Sequence, residues 1–271
     1  MRMDYWWLAY PVLGVFVGFF AGLLGVGGGA IMVPVLTTLF AYQGFSPEVV
    51  VHMALGSSMA GIVLTSFASA RTHYQHHAVR TDALVPMASG VLFGTFVASF
   101  IASLIPSRTL AIFFACFIAY VSLQMFLNLK PKPTRQLPGW LGLGFAGFVI
   151  GAVSALVAIG GGTLTVPFLT WCNVPVAHAI GTSAALGIPI SITGTIGYVV
   201  NGWHDPNLPP FSLGYVYLPA VIGVSATSIL TAPIGARWAH RLPVPVLKRI
   251  LAGVLLLLLA KMLWTLYGGG A

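Results

Sequence analysis

Charge is what this sequence has least of. Only 6% of its 271 residues are Asp, Glu, Lys or Arg, and just 4 are acidic. A water-soluble domain carries about 25% charged residues. The deficit excludes a surface built for water. Lipid is the fitting solvent, because charge is costly there. Cysteine is scarce as well. Cys116 and Cys172 lie in or beside apolar runs, which excludes a disulfide framework or a thiolate metal site and reads as packing. The opening stretch "MRMDYWWLAYPVLGVFVGFFAGLLG" lacks a small-residue cleavage site, so it is expected to remain as structure.

What is present is apolar. Hydrophobic residues make up 58% of the chain, and the mean hydropathy is +0.96. The 12 Lys and Arg leave a net charge of +8. Such an excess can mark nucleic-acid binding. Here the basic residues lie mostly between apolar runs, as topogenic loops require, so no nucleic-acid partner is expected. The segment "RTHYQHHAVRTD" at 71–82 reads as a solvated loop without a ligand frame. No metal and no cofactor is expected. Trp6, Trp7, Trp140, Trp203, Trp264 and Tyr267 fall near run ends, as interface anchors do. Lys261 lies inside the last apolar run. It reads as a snorkelling side chain, although an intramembrane Lys is a functional candidate by default.

The chain repeats itself. "LLGVGGGAIMVPVLT" at 23–37 matches "LVAIGGGTLTVPFLT" at 156–170, and "MALGSSMAG" at 53–61 matches "HAIGTSAAL" at 178–186. Weaker matches follow in the same order. The boundary is rich in Pro, Lys and Arg, as an exposed connection would be. Residues 1–129 form one membrane repeat, 130–138 a cytoplasmic linker and 139–271 a second repeat. Duplication around a shared core is the plan of many secondary transporters.

Runs near 47–70, 83–105 and 108–129, and their counterparts near 174–200, 214–236 and 246–267, are each long enough to cross a bilayer. Each repeat begins with a longer stretch interrupted by its glycine triplet. If that stretch crosses once, the basic residues divide 7 to 5 between the two sides. If it enters, breaks and returns, Arg71, Arg80, Lys130, Lys132, Arg135, Arg237, Arg241, Lys248 and Arg249 share one side, leaving Arg2, Arg108 and Lys261 on the other. The second division agrees with cytoplasmic accumulation of Lys and Arg. The expected fold is therefore an all-α integral membrane protein with two inverted-topology repeats. Each begins with a glycine-broken helical hairpin followed by three transmembrane helices.

The breaks define the candidate site. From the first triplet to the end of its run is about 16 Å of helix, half the hydrocarbon core. From Pro47 to Ser57 and Ser58 is about 15 Å by the same rise. The triplet and the "GSS" are thus expected to converge in depth. Gly27, Gly28 and Gly29, with Gly160, Gly161 and Gly162, permit a turn and close approach to backbone. The half-helices that follow present unpaired N–H groups and the positive ends of their dipoles, a preformed anion site. Ser57, Ser58, Thr182 and Ser183 would donate hydroxyl hydrogen bonds to a small anionic substrate. The plainer reading of these small residues is close helix packing. His52 and His178 are candidates for proton coupling or substrate contact, against the plainer reading of a structural hydrogen bond.

"GFFAGLLGVGGGAIMVPVL" with "HMALGSSMAGIVLTSFASA", and "GFVIGAVSALVAIGGGTLTVPFL" with "HAIGTSAALGIPISITG", resemble the TauE/SafE family of sulfite exporters over nearly the whole chain. The resemblance implies an inner-membrane permease of bacterial cells for sulfite or C2 sulfonates such as sulfoacetate, usually acting outward. Two alternatives stay open. One is a passive anion channel. The other is an intramembrane serine hydrolase, for which His52 stands poorly placed, five and six residues before Ser57 and Ser58.

Overall fold

The computed structural model describes residues 6–24, 28–127, 134–238 and 244–267. Of the sequence-stated site, Gly27 lies outside them, as do residues 130–133 of the linker. The described chain is helical: α1 Trp6–Leu24, α2 Gly29–Tyr42, α3 Val50–Gln75, α4 Thr81–Leu104, α5 Ser107–Phe126, α6 Trp140–Val157, α7 Gly162–Trp171, α8 Val176–Gly202, α9 Leu218–Trp238 and α10 Val244–Tyr267. Seven of these, α3, α4, α5, α6, α8, α9 and the Arg249–Tyr267 part of α10, are long and apolar enough to cross a membrane. One departure from an all-helical chain is a two-stranded ribbon, β1 Ser212–Leu213 against β2 Val216–Tyr217, between α8 and α9.

The glycine breaks end α1 and α6 and start the short helices α2 and α7. Each short helix returns toward the end from which its predecessor starts. Near the start of α1, the Tyr10 hydroxyl lies 2.7 Å from Gln43 Nε2, just past the end of α2. Ahead of α6, the Thr134 and Arg135 amides both donate to the Trp171 carbonyl at the end of α7, each at 3.3 Å.

The centre is a crossed set of pairings. α1 packs along α9 while α6 packs along α4, and α3 packs against α8. The first two contacts use glycine. Gly14 and Gly18 press on the α9 backbone at Val224 and Ser228, and Gly147 and Gly151 on the α4 backbone at Met87 and Val91. Removing the side chain lets the backbones approach, which is how helices associate without a hydrophobic drive between them. Residue numbers rise together in both contacts, so those pairs run parallel. The α3–α8 contact is antiparallel: Gly56 meets Tyr198, Met59 meets Gly194 and Ser66 meets Gly187. α3 is the most enclosed spanning helix, 78% buried over its apolar window.

The outside suits lipid. Phe93, Leu104, Phe145, Ile222, Leu230 and Leu257 are all exposed, as are Trp7, Trp140, Trp203 and Trp264 at helix ends. Of the two cysteines, Cys172 is buried and Cys116 exposed.

Candidate functional site

Gly28 and Gly161 hold equivalent places. Each stands at the N-cap of its short helix in the left-handed region, Gly28 at φ 73° and Gly161 at φ 79°. An L side chain there costs roughly 1–2 kcal/mol. Neither helix start receives a side-chain cap. Carbonyl oxygens of the same two glycines accept the third and fourth amides that follow, at 2.8–3.1 Å. The amides of Gly29 and Ala30, and of Gly162 and Thr163, have no intrahelical acceptor by position.

The two breaks adjoin one another. A Cβ on Gly29 would collide with the carbonyl oxygen of Ala158, which ends α6 in the left-handed conformation. Gly160 lies beside α8 at Gly187, whose face also meets Ser66 of α3. Around this point a small cavity of about 10 Å³ is lined by Ala21, Thr65, Ser66, Ser69, Gly160, Ala184 and Gly187. That is room for about one water. It joins the second break, the α1 end and hydroxyls of α3.

The hydroxyls at this depth differ from those the repeat suggested. Ser57 Oγ accepts the backbone N–H of Tyr217 at 2.9 Å, next to the start of α9. Thr182 Oγ1 accepts the N–H of Arg80 at 2.9 Å, next to the start of α4. Each hydroxyl thus engages the backbone that enters a helix of the other half, where amides lack helical partners. Ala78 packs against Gly181, so Thr182 sits level with the far end of α3. Tyr198, which meets Gly56 of α3, lies 16 residues further along α8, so Thr182 and Ser57 stand roughly 24 Å apart along the bundle. The breaks lie between, level with Ile62 to Ser66. Thr65, Ser66 and Ser69 occupy that middle depth, with Ser58 and Ser183 each four residues away from the level of a break, about 6 Å of helix.

The remaining candidates are placed as follows. Ser58 is buried, and its hydroxyl has no hydrogen-bond partner among the described residues. Ser183 Oγ donates to the Ile180 carbonyl at 3.1 Å within α8. Gly162 is buried at the first position of α7. His52 ties α3 to the α4–α5 turn: Nδ1 lies 3.0 Å from Ser107 Oγ, and Nε2 lies 3.1 Å from the Ala102 and Ile105 carbonyls. Ser107 in turn donates to the Glu48 carbonyl at 2.6 Å. His52 and Ser57 do not pair with each other: His52 faces Ser107, and Ser57 faces the Tyr217 amide. His178, near the α8 start, keeps a buried Nδ1 without a hydrogen-bond partner among the described residues.

Sequence reading passed over Thr65, Ser66 and Ser69. Their signal was available: hydroxyls at i, i+1 and i+4 in an apolar run share one helix face. Thr65 Oγ1 lies 2.8 Å from Ser228 Oγ on α9. Ser69 Oγ is buried and without a hydrogen-bond partner among the described residues. The segment between α8 and α9 closes over the Ser57 end. Tyr215 donates its amide to the Tyr198 carbonyl at 3.2 Å and its hydroxyl to Asp205 at 2.9 Å. Burial and Asp205 push its phenol up to about 12.

Seven spanning-length helices and an apolar exterior define an integral membrane protein. The profile described as "Sulfite exporter TauE/SafE" matches residues 10–262, and the chain belongs to that family. It is 36% identical over 240 residues to a probable membrane transporter protein of Haemophilus influenzae, covering 88% of this chain and 90% of that one. The probable membrane transporter protein YdhB of Bacillus subtilis is 25% identical over 254 residues, covering 89% and 96%. A probable membrane transporter protein of Methanocaldococcus jannaschii is 25% identical over 250 residues, covering 90% of each. No solved structure matches.

Proposed function

We propose that this transporter carries small sulfur-containing anions, sulfite or C2 sulfonates such as sulfoacetate, out of the cell across a bacterial inner membrane. The paired left-handed caps at Gly28 and Gly161 carry the reading. They leave two helix starts uncapped by side chains, and such starts favour an anion without a buried Lys or Arg. Thr65, Ser66 and Ser69 supply hydroxyl donors for its oxygens. The family description supplies the sulfur chemistry.

The same reading takes the halves as inverted-topology repeats. It is supported by the antiparallel α3–α8 contact, the fold-back of each short helix and the matched pairings of α1 with α9 and α6 with α4. A cavity of about 10 Å³ must widen to admit an oxyanion, so transport requires the halves to move. The substrate passes chemically unchanged.

Flux measured in proteoliposomes tests this. Saturable movement of sulfite or sulfoacetate is expected, lost on Gly161→Val. Absence of flux for every sulfur oxyanion and sulfonate, with folded protein, overturns it. Flux that never saturates assigns a channel instead.

A further inference from the structure

We infer that the cleft between α2 and α10 binds an anionic phospholipid, its acyl chain along α2 and its phosphate at Lys261. The cleft encloses about 270 Å³, with Pro34, Val35, Leu39 and Leu258 among its walls and Lys261 as its charged member. Thr38 also lines it, but turns its hydroxyl to the Pro34 carbonyl at 2.8 Å. Apart from the Tyr42 phenol at its end, the α2 wall therefore offers mainly hydrocarbon, as a lipid chain requires.

Lys261 is exposed and makes no ion pair among the described residues. The ion pair they contain joins Arg80 to Asp82. Trp264, 73% exposed, marks an interfacial depth. Nearby, the Tyr267 hydroxyl donates to the Arg108 carbonyl at 3.1 Å, with the Arg108 guanidinium 5.1 Å from the ring centroid. Lys261 lies three residues deeper than Trp264, about 4.5 Å along the helix. An ammonium just beneath the aromatic level meets the phosphate of a bilayer lipid, and basic pockets between spanning helices recognise such headgroups.

Beside the cleft, Leu257 stands one turn before Lys261 on α10 and is exposed, as a lipid-facing residue is. The corresponding helices of the other half, α5 and α7, make no comparable contact among the described residues. The site is thus single and belongs to one leaflet.

Thermal unfolding of the purified full chain in neutral detergent, with phosphatidylglycerol or phosphatidylcholine added, tests the inference. A ligand of the native state raises the midpoint. Phosphatidylglycerol is expected to raise it and phosphatidylcholine to leave it unmoved. Lys261→Gln and the cleft-filling Leu39→Trp should each remove at least half of the shift. Lys261→Arg and the distant Arg71→Gln should retain it. Equal shifts from the two lipids overturn the site, as does a full shift in Lys261→Gln. An equal, Lys261-dependent shift from oleate overturns the phospholipid assignment in favour of a single-chain carboxylate.

Discussion

Thr182 on α8 accepts the backbone N–H of Arg80, ahead of α4, at 2.9 Å. Ser57 on α3 does the same for Tyr217, ahead of α9. Two hydroxyls at matching places in the repeat therefore hold helix starts in opposite halves. Thr182→Ala and Ser57→Ala should each cost about 1 kcal/mol, the usual worth of a capping hydroxyl. Thr182→Ser should cost less. Denaturant unfolding in detergent reads the difference, and an unchanged midpoint in both alanine variants would show that the caps are idle.

Gly161 bears the sharper constraint. A side chain there meets both the left-handed backbone and Ile190 Cδ1, 2.6 Å from the added Cβ. Gly161→Ala should lose roughly 1–2 kcal/mol from the backbone conformation alone and reduce flux severely. Full transport by Gly161→Ala in a folded protein would remove the break from the pathway.

Ser69 separates function from fold. Its buried hydroxyl lacks a hydrogen-bond partner among the described residues, so Ser69→Ala should leave stability unchanged or slightly raised. Anion flux should fall several-fold if the hydroxyl serves cargo. Loss of stability with flux intact would give it a structural role.

His52 is expected to behave as a tie. Its ring nitrogens already face Ser107 and two carbonyls. His52→Ala leaves buried polar groups unpaired, at about 1–3 kcal/mol. The pH profile of flux by the surviving folded protein should match the parent. A flattened profile would restore His52 as a proton carrier. The same measurement on His178→Ala examines the histidine whose Nδ1 is uncommitted.

Tyr215 anchors the segment over the Ser57 end. Its phenol is raised to about 12 by burial and Asp205, whereas the unfolded phenol ionises near pH 10. The stability it lends is complete below about pH 10 and disappears as pH climbs through about 12. Tyr215→Phe should lessen that alkaline sensitivity, seen as a midpoint that falls less over this window than in the parent.

Helix content and spanning lengths were plain in the sequence because lipid forces long apolar runs, and the breaks because glycine recurs at matched places. The direction of the Ser57 and Thr182 side chains was not legible. Their partners are backbone amides 160 and 102 residues away, and an amide carries no residue-type signature. Depth was not legible for the same reason. Counting rise from a run end assumes where the membrane begins, whereas packing of Gly187 on Ser66 and of Gly181 on Ala78 fixes the true levels. The triad at 65, 66 and 69 was readable but was overshadowed by the repeated motif. The β1–β2 ribbon, with two residues per strand, is too short to leave a period.

The two reciprocal caps sit toward opposite ends of the α3–α8 pair, roughly 24 Å apart. If one half rocks against the other about mid-depth, the lever arms to the two latches are nearly equal. Parting at one rim then presses the other shut. A pair of hydroxyls would thereby couple the two doorways, so that a passage open at both ends would require breaking both latches at once.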